Sequence, residues 1–219
     1  MSGYLAQQSI KVSHETIYKW IRQDKAEQGT LYTHCRHKLK HRKRAVGKVS
    51  NIPDRVSIHD IPQEANGKRL GDFEMDLIVG AQGKGAILVV TERMTNMIWA
   101  GKLKSKTASE VNSKLWAILI PYRHMLKTIV TDNGSEFSGH LKMTKMLGVP
   151  IFFADPYAAW QKGAVEHANK LIRQYTPKNS DFSNISQKDI DKYIYLINAG
   201  PRQKLNFKSP AQIFFEHLD

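Results

Sequence analysis

The sequence is short of three things: cysteine, long apolar runs, and acidic residues to balance its basic ones. Cys35 is the only cysteine among 219 residues, so no disulfide can form within the chain, as is typical of a reducing cytoplasm. No stretch approaches the roughly 20 apolar residues that cross a bilayer. The N-terminus lacks the charged-then-apolar pattern of a signal peptide. These absences argue against a membrane protein and against a disulfide-stabilised secreted one.

The charge is strongly positive and unevenly distributed. Lys and Arg number 33 against 20 Asp and Glu, a net charge of +13. Residues 1–70 contain 14 Lys and Arg but 6 Asp and Glu, a net of +8, so the shorter N-terminal third holds most of the excess. Nucleic acid is the commonest partner of such a chain, although a merely basic soluble protein has the same signature.

Residues 1–50 are interpreted as the remnant of a DNA-binding region with a basic segment. Ser13 suits a helix N-cap, and Ile17, Trp20 and Ile21 fall at helical spacing. The run from residue 36 to 44 reads as a segment that follows DNA phosphates, with a solvated charged stretch as the alternative. Its six basic residues are Arg36, Lys38, Lys40, Arg42, Lys43 and Arg44. Residues 51–70, interrupted by prolines, are predicted to be a linker.

From residue 71 onward the pattern changes to that of an α/β domain. The predicted elements are strands Phe73–Val79, Ala86–Thr91 and Met97–Ala100, helix Thr107–Ile120, strand Thr128–Thr131, helix Ser138–Leu147, strand Val149–Phe153, and helices Ala164–Tyr175, Gln187–Asn198 and Pro210–Leu218. This order predicts a ribonuclease-H-like fold over residues 71–219, with a mixed five-stranded sheet, flanking helices and a small basic α-helical N-terminal segment.

Acidic residues recur where metal ligands are easily presented. Asp72, Glu74 and Asp76 alternate along the first strand and so share one face. Asp132 follows the fourth strand and begins an Asp-Asn-Gly turn, and Glu166 comes early in a helix after 33 intervening residues. Two divalent cations about 3.5–4 Å apart can activate an attacking oxygen and stabilise a leaving one. On spacing alone, however, solvated surface carboxylates are the commoner explanation.

The residues around these carboxylates form several ordered motifs. They are Phe73-Glu74-Met75-Asp76-Leu77-Ile78, Asp132-Asn133-Gly134-Ser135-Glu136-Phe137, Asp155-Pro156-Tyr157-Ala158-Ala159-Trp160-Gln161-Lys162-Gly163 followed by Glu166, and Phe207-Lys208-Ser209-Pro210-Ala211. Together with Ser13-His14-Glu15-Thr16-Ile17-Tyr18 near the start, they resemble DDE transposases of the insertion sequence 30 family, within the retroviral-integrase superfamily. The resemblance covers nearly the whole chain.

The resemblance implies that Asp76, Asp132 and Glu166 are the catalytic metal ligands, binding Mg²⁺ or Mn²⁺, with two ions expected. Asp72 and Glu74 would strengthen the negative field. Lys170 and Arg173, at i+4 and i+7 from Glu166, would hold DNA phosphates, with exposed solubilising side chains as the alternative. Trp160 would either stack on a displaced base or fill the core.

The activity implied is metal-dependent cleavage and strand transfer of element ends into target DNA, by an oligomer assembled on DNA, with no membrane partner. The expected location is the bacterial cytoplasm, at the nucleoid. Family members usually have Gly where this chain has Met75, and Asn where it has Val165 and His167. They also carry further helix-turn-helix sequence before this point, so an N-terminally truncated member is expected. The alternatives are a weak or inactive transposase that only binds DNA, and a metal-dependent nuclease that does not join strands.

Overall fold

The structure is a computed structural model. It describes residue 5, residues 8–35 and residues 52–218. The chain separates into two compact units, residues 1–48 and 49–219. The basic run predicted to bind DNA, Arg36 to Arg44, lies outside the described residues, and its role stays a prediction. Across the part of the chain that the structure describes, no helix combines the length and the apolar character that crossing a bilayer requires.

The described part of the first unit contains helix α1 (His14–Ala26) and a short 3-10 turn, Leu31–His34. The Ser13 hydroxyl accepts a hydrogen bond from the Thr16 backbone N–H. Ser13 is therefore the N-cap of α1, as predicted. No residue of α1 is buried, and Trp20 remains 53% exposed. The apolar positions at helical spacing are therefore available for contact.

The second unit is built on one sheet of six strands. The strands are β1 (Val56–Ser57), β2 (Asp72–Val79), β3 (Ala86–Glu92), β4 (Ile98–Leu103), β5 (Thr128–Thr131) and β6 (Ile151–Phe153), in the order β1-β6-β5-β2-β3-β4. Strands β2, β3 and β4 pair antiparallel, whereas β5 pairs parallel with β2 and with β6. The sheet is mixed, as predicted, with one strand more than the five expected. The extra strand, β1, comes from the segment interpreted as a linker and pairs parallel with β6.

Among residues 52–218, five helices flank this sheet: α2 (Ala108–Leu119), α3 (His140–Leu147), α4 (Gly163–Tyr175), α5 (Gln187–Ala199) and α6 (Pro210–Glu216). Helices α2 and α3 belong to one apolar core with Phe73, Met75 and Leu88, and α4 and α5 belong to a second core with Ile87 and Val89. The two-residue period of a strand separates these faces. On β2 it places the core residues Phe73 and Met75 on one face, and the acidic residues on the face that α4 covers.

Candidate active site

The first two predicted ligands meet because their strands are neighbours in register. Strand β2 pairs parallel with β5 so that Asp72 lies beside Thr128 and Glu74 beside Val130. Continuing this register by two further residues brings Asp76 beside Asp132, on the same face of the sheet. The Asp132 carboxylate accepts the Gly134 backbone N–H at 3.0 Å, which is the turn that Asp-Asn-Gly predicts.

A lysine ammonium lies between these two carboxylates. Lys162 Nζ is 3.5 Å from Asp76 Oδ1 and 3.4 Å from Asp132 Oδ2, and the Lys162 side chain is 7% exposed. Burial raises the pKa of Asp76, repulsion from Asp132 raises it further, and attraction to Lys162 lowers it. Two facing carboxylates repel each other unless a cation lies between them, and in this structure the Lys162 ammonium is that cation.

Glu166 lies in the first turn of helix α4. Asn169 lies three residues after Glu166 on the same face of α4, and Lys162 is the residue just before the helix. Both neighbours contact Asp76, because Asn169 Nδ2 donates to Asp76 Oδ2 at 2.8 Å. The Glu166 position therefore lies on the side of α4 that carries the contact between Asn169 and Asp76. The remaining amide oxygen, Asn169 Oδ1, is buried without a hydrogen-bond partner.

The donor set suits a hard divalent cation. Carboxylates from β2 and from the end of β5 already share one cation position, and an orphaned amide oxygen is buried beside them. Across residues 8–35 and 52–218, however, no three His, Cys, Asp or Glu side chains are already gathered tightly enough to hold an ion. Binding would require Lys162 to leave the space between Asp76 and Asp132.

The other two acidic residues of β2 have internal partners instead of strengthening the field. Asp72 is fully buried, accepts two hydrogen bonds from Arg69 at 2.8 and 3.0 Å, and accepts one from the Thr128 hydroxyl. Arg69 neutralises Asp72, and Arg93 neutralises Glu74. The expectation that these two carboxylates add negative potential is therefore wrong.

Glu74 fixes the helix that carries Glu166. It is 1% exposed, its Oε2 accepts the Val165 backbone N–H at 2.9 Å, and its Oε1 lies 3.0 Å from Arg93 Nε. Burial raises the pKa of Glu74, whereas the bond from Val165 and the charge of Arg93 lower it. Val165 is in the first turn of α4, whose free N–H groups need acceptors. The Glu74 carboxylate on β2 thus caps the N-terminus of α4 and sets the position of this helix over Asp76.

The predicted DNA-contact residues have different surroundings. Trp160 is 78% exposed, so the alternative in which it fills the core is excluded. Lys170 is exposed one turn beyond Glu166, and its contact with DNA stays a prediction. Arg173 donates to the backbone carbonyls of Val79, Thr176 and Pro177 and stacks over Phe182. These contacts give Arg173 an internal structural role and leave it poorly placed to hold a phosphate.

The departures from the family motifs lie mostly away from the carboxylates. Met75 points into the core on the opposite face of β2, and Val165 packs in the core beneath α4 while its N–H binds Glu74. Only His167 is exposed, on the flank of α4 beside Glu166.

Sequence reasoning missed Lys162, Asn169 and Arg93 as parts of the site. Lys162 was visible in the quoted motif, and Asn169 was recognisable three residues after Glu166 on the predicted helix. The pairing of Arg93 with Glu74 has no local signal, because it depends on how β3 ends beside β2.

The fold is the ribonuclease-H-like fold of retroviral integrase catalytic cores. Residues 62–159 match the integrase core domain. A chain of the simian T-cell lymphotropic virus intasome, solved in complex with PP2A regulatory subunit B56 gamma, superimposes with a TM-score of 0.54 at 18% identity, covering 65% of this chain and 53% of that one. The catalytic core domain of BIV integrase gives 0.51 at 20% identity, with 67% and 94% covered.

In sequence, the chain is similar to transposases of bacterial insertion sequences. It is 39% identical over 208 residues to the transposase for insertion sequence element IS4351 of Bacteroides fragilis, covering 93% of this chain and 64% of that protein. It is 32% identical to transposase InsI for insertion sequence element IS30A of Escherichia coli, covering 97% and 59%. The chain thus spans about two thirds or less of these relatives. The integrase core family generally depends on divalent metal ions.

Proposed function

We propose that this chain catalyses metal-dependent cleavage and strand transfer of insertion-element ends into target DNA. The observation that carries the proposal is the meeting of Asp76 and Asp132 around one cation position, next to the face of α4 that holds Asn169 and Glu166. The similarity to transposases over 93% of the chain supports the same activity.

The proposed ligands are Asp76, Asp132 and Glu166, and the proposed ions are two Mg²⁺ or Mn²⁺. Divalent cations bound there would activate an attacking oxygen and stabilise the leaving one. Asn169 holds the Asp76 carboxylate in one orientation, and Glu74 with Arg93 keeps α4 at a fixed height above β2. The chain's own task is thereby positioning and charge neutralisation, which dominate phosphoryl transfer.

The proposed reaction has two in-line displacements at phosphorus. In the first, a water oxygen bonds to phosphorus at the element end, and the bond to the 3′ oxygen breaks to leave a free 3′-hydroxyl. In the second, that hydroxyl oxygen bonds to a target phosphorus, and a target 3′ oxygen leaves. Each step exchanges one phosphorus–oxygen bond for another and needs no covalent enzyme intermediate.

A strand-transfer assay with a labelled, pre-cleaved element end and a plasmid target tests this proposal. We expect joined product with the wild type in Mg²⁺ or Mn²⁺, and a loss of at least about 100-fold for Glu166→Gln, since supporting residues alone cost 10–100-fold. Hydrolysed ends without joining would indicate the nuclease instead.

A second candidate function is that of a DNA-binding protein without catalysis. The observation that favours it is Lys162, because an ammonium held by two carboxylates competes with a metal ion for the same place. DNA that is bound in a salt-dependent way, with no cleavage or joining in either metal, would support this reading.

Metal binding is separately measurable by thermal unfolding. Binding to the folded state adds about 2.7 kcal/mol at a ligand concentration of 100 Kd, and each kcal/mol raises Tm by about 2–4 °C for a chain of this size. We therefore expect Mn²⁺ to raise the Tm of the wild type by about 5–10 °C. Asp132→Asn should abolish this shift, and an equal shift in that variant would place the ion elsewhere.

Two further properties follow from the proposal. Joining two element ends requires both in one assembly, so we propose a homo-oligomer on DNA, located at the nucleoid. Sedimentation of the protein with an element end should give a complex larger than one copy per end. A complex that stays monomeric under joining conditions would contradict this.

A further inference from the structure

A basic groove lies beside the metal-ligand carboxylates, on the other flank of the first turn of α4. It has a volume of about 740 Å³. Six of its lining residues bear on its chemistry: Lys68, Arg93, Trp160, His167, Arg202 and Lys204. Neither Asp76 nor Asp132 lines it, so the groove is a separate feature from the carboxylate site.

The lining has a surplus of positive charge. Its one acidic residue, Glu74, is buried and paired with Arg93 in the floor of the groove. Lys68 and Lys204 are exposed at its walls, and Lys204 and Arg202 lie close enough to act electrostatically on His167. A concave surface lined by one sign of charge concentrates the opposite charge, and the ligand that suits it is polyanionic.

An aromatic ring stands at the rim of the same groove. Trp160 is 78% exposed although the loop that carries it is anchored: the neighbouring Gln161 exchanges two hydrogen bonds with Asp155, at 2.7 and 2.8 Å. A large apolar side chain held out on a braced loop has no internal packing role. Basic grooves with exposed aromatics bind single strands, because phosphates follow the cations and bases stack on the ring.

The dimensions favour a single strand over a duplex. Pockets of about 300–1,000 Å³ enclose small ligands, so this groove suits one or two nucleotides and is too small for both strands of a helix. Helix α4 also links the groove to the carboxylates: Asn169 donates to Asp76, while His167, the residue after Glu166, lines the groove. A strand in the groove would leave it next to Glu166.

We propose that this groove binds a short unpaired DNA segment adjoining the phosphodiester at the carboxylate site, with its phosphates on Lys68, Arg202 and Lys204 and one base on Trp160. The inference rests on the proposed function, because it assigns part of the same DNA substrate. It adds a preference for unpaired nucleotides that the carboxylates alone do not supply.

The test measures equilibrium binding of the full chain without metal, so it does not depend on catalysis. A fluorescent oligothymidine of eight nucleotides and a blunt duplex of equal length are titrated against wild type, Lys68→Gln/Lys204→Gln and Trp160→Ala. All three altered side chains are exposed, so these variants are expected to fold. Lys142→Gln/Lys145→Gln, on α3 across the sheet, removes the same charge elsewhere and is the matched control.

We expect Lys68→Gln/Lys204→Gln to lower the salt slope for the single strand by about 1.4, from about 0.7 per lost phosphate contact. Trp160→Ala should weaken single-strand binding by about tenfold and abolish the quenching of a 2-aminopurine base in the oligonucleotide. The duplex and the control variant should change little.

Single-strand binding equal to wild type in both groove variants would overturn the proposal, even if the wild type joins DNA. So would an equal loss for duplex and single strand, which would mark the groove as a general phosphate surface. If the expected binding pattern is seen but no DNA joining occurs, the proposed activity is wrong and the groove assignment still stands.

Discussion

Asp76→Asn is expected to reduce strand joining by about a thousandfold while leaving the metal-free protein at least as stable as the wild type. The loss follows because Asp76 is a proposed metal ligand and contacts both Lys162 and Asn169. Removing one preorganised electrostatic group typically costs 10²–10³ in rate, and a charged ligand lies at the upper end.

The stability of that variant follows from the same geometry. Asp76 and Asp132 face each other across Lys162, and Asp76 is half-buried, so its charge has an unfavourable environment. Asparagine keeps the shape and still accepts from Asn169, and Asp132 remains to pair with Lys162. One repulsive carboxylate is removed at little cost in hydrogen bonding.

The joining assay and a thermal melt without metal measure the two effects on one preparation. Asp60→Asn, at an exposed position, is the matched control and should change neither. Joining within tenfold of wild type would show that Asp76 is not a ligand. A Tm several degrees below wild type would show that the carboxylate stabilises the fold, contrary to the electrostatic argument.

Arg93→Met is expected to lower the free energy of unfolding by about 3–5 kcal/mol, the usual cost of removing one partner of a buried ion pair. Without the guanidinium, Glu74 is a carboxylate 1% exposed with backbone N–H groups of α4 as its remaining partners. Arg93 also donates to the Ala65 carbonyl, so its loss loosens residues before β2 as well.

A double-mutant cycle separates charge from packing. Adding Glu74→Gln removes the buried charge, so Glu74→Gln/Arg93→Met should be more stable than Arg93→Met alone. Arg93→Lys keeps the charge and remains measurable if Arg93→Met does not fold. Urea unfolding followed by circular dichroism gives the coupling energy. If the double variant is as unstable as the single one, the Glu74 charge is not what Arg93 offsets.

The sequence predicted those elements whose signal is local. Strand β5 was expected at Thr128–Thr131 and has those bounds, because a β-branched run between polar residues is unambiguous. Helix α4 begins one residue earlier than expected, at Gly163. Strand β1 was missed because two residues between prolines carry no periodicity, and their pairing with β6 is a distant contact.

In the candidate site as well, the features with a local sequence signal were predicted, and those that depend on distant contacts were not. Alternation along β2 indicated which carboxylates share a face, and the family motifs indicated Asp132 and Glu166. Alternation could not indicate that Asp72 and Glu74 would be neutralised, because Arg69 and Arg93 reach them only in the folded chain. The exposure of Trp160 and the internal contacts of Arg173 likewise depend on how α4 packs against the sheet.

The bond from Glu74 to α4 has a consequence for how such a domain can change in length. Strand β2 carries both Asp76 and, two residues earlier on the same face, Glu74. Because Glu74 binds the first turn of α4, the same strand also sets where that helix starts. Insertions in the loop before Trp160 can therefore be absorbed without displacing Glu166. A one-residue insertion within β2 would instead turn Asp76 to the opposite face and detach the helix in the same step. Length variation is thus tolerable in one segment and ruinous in the other, although both carry parts of a single site.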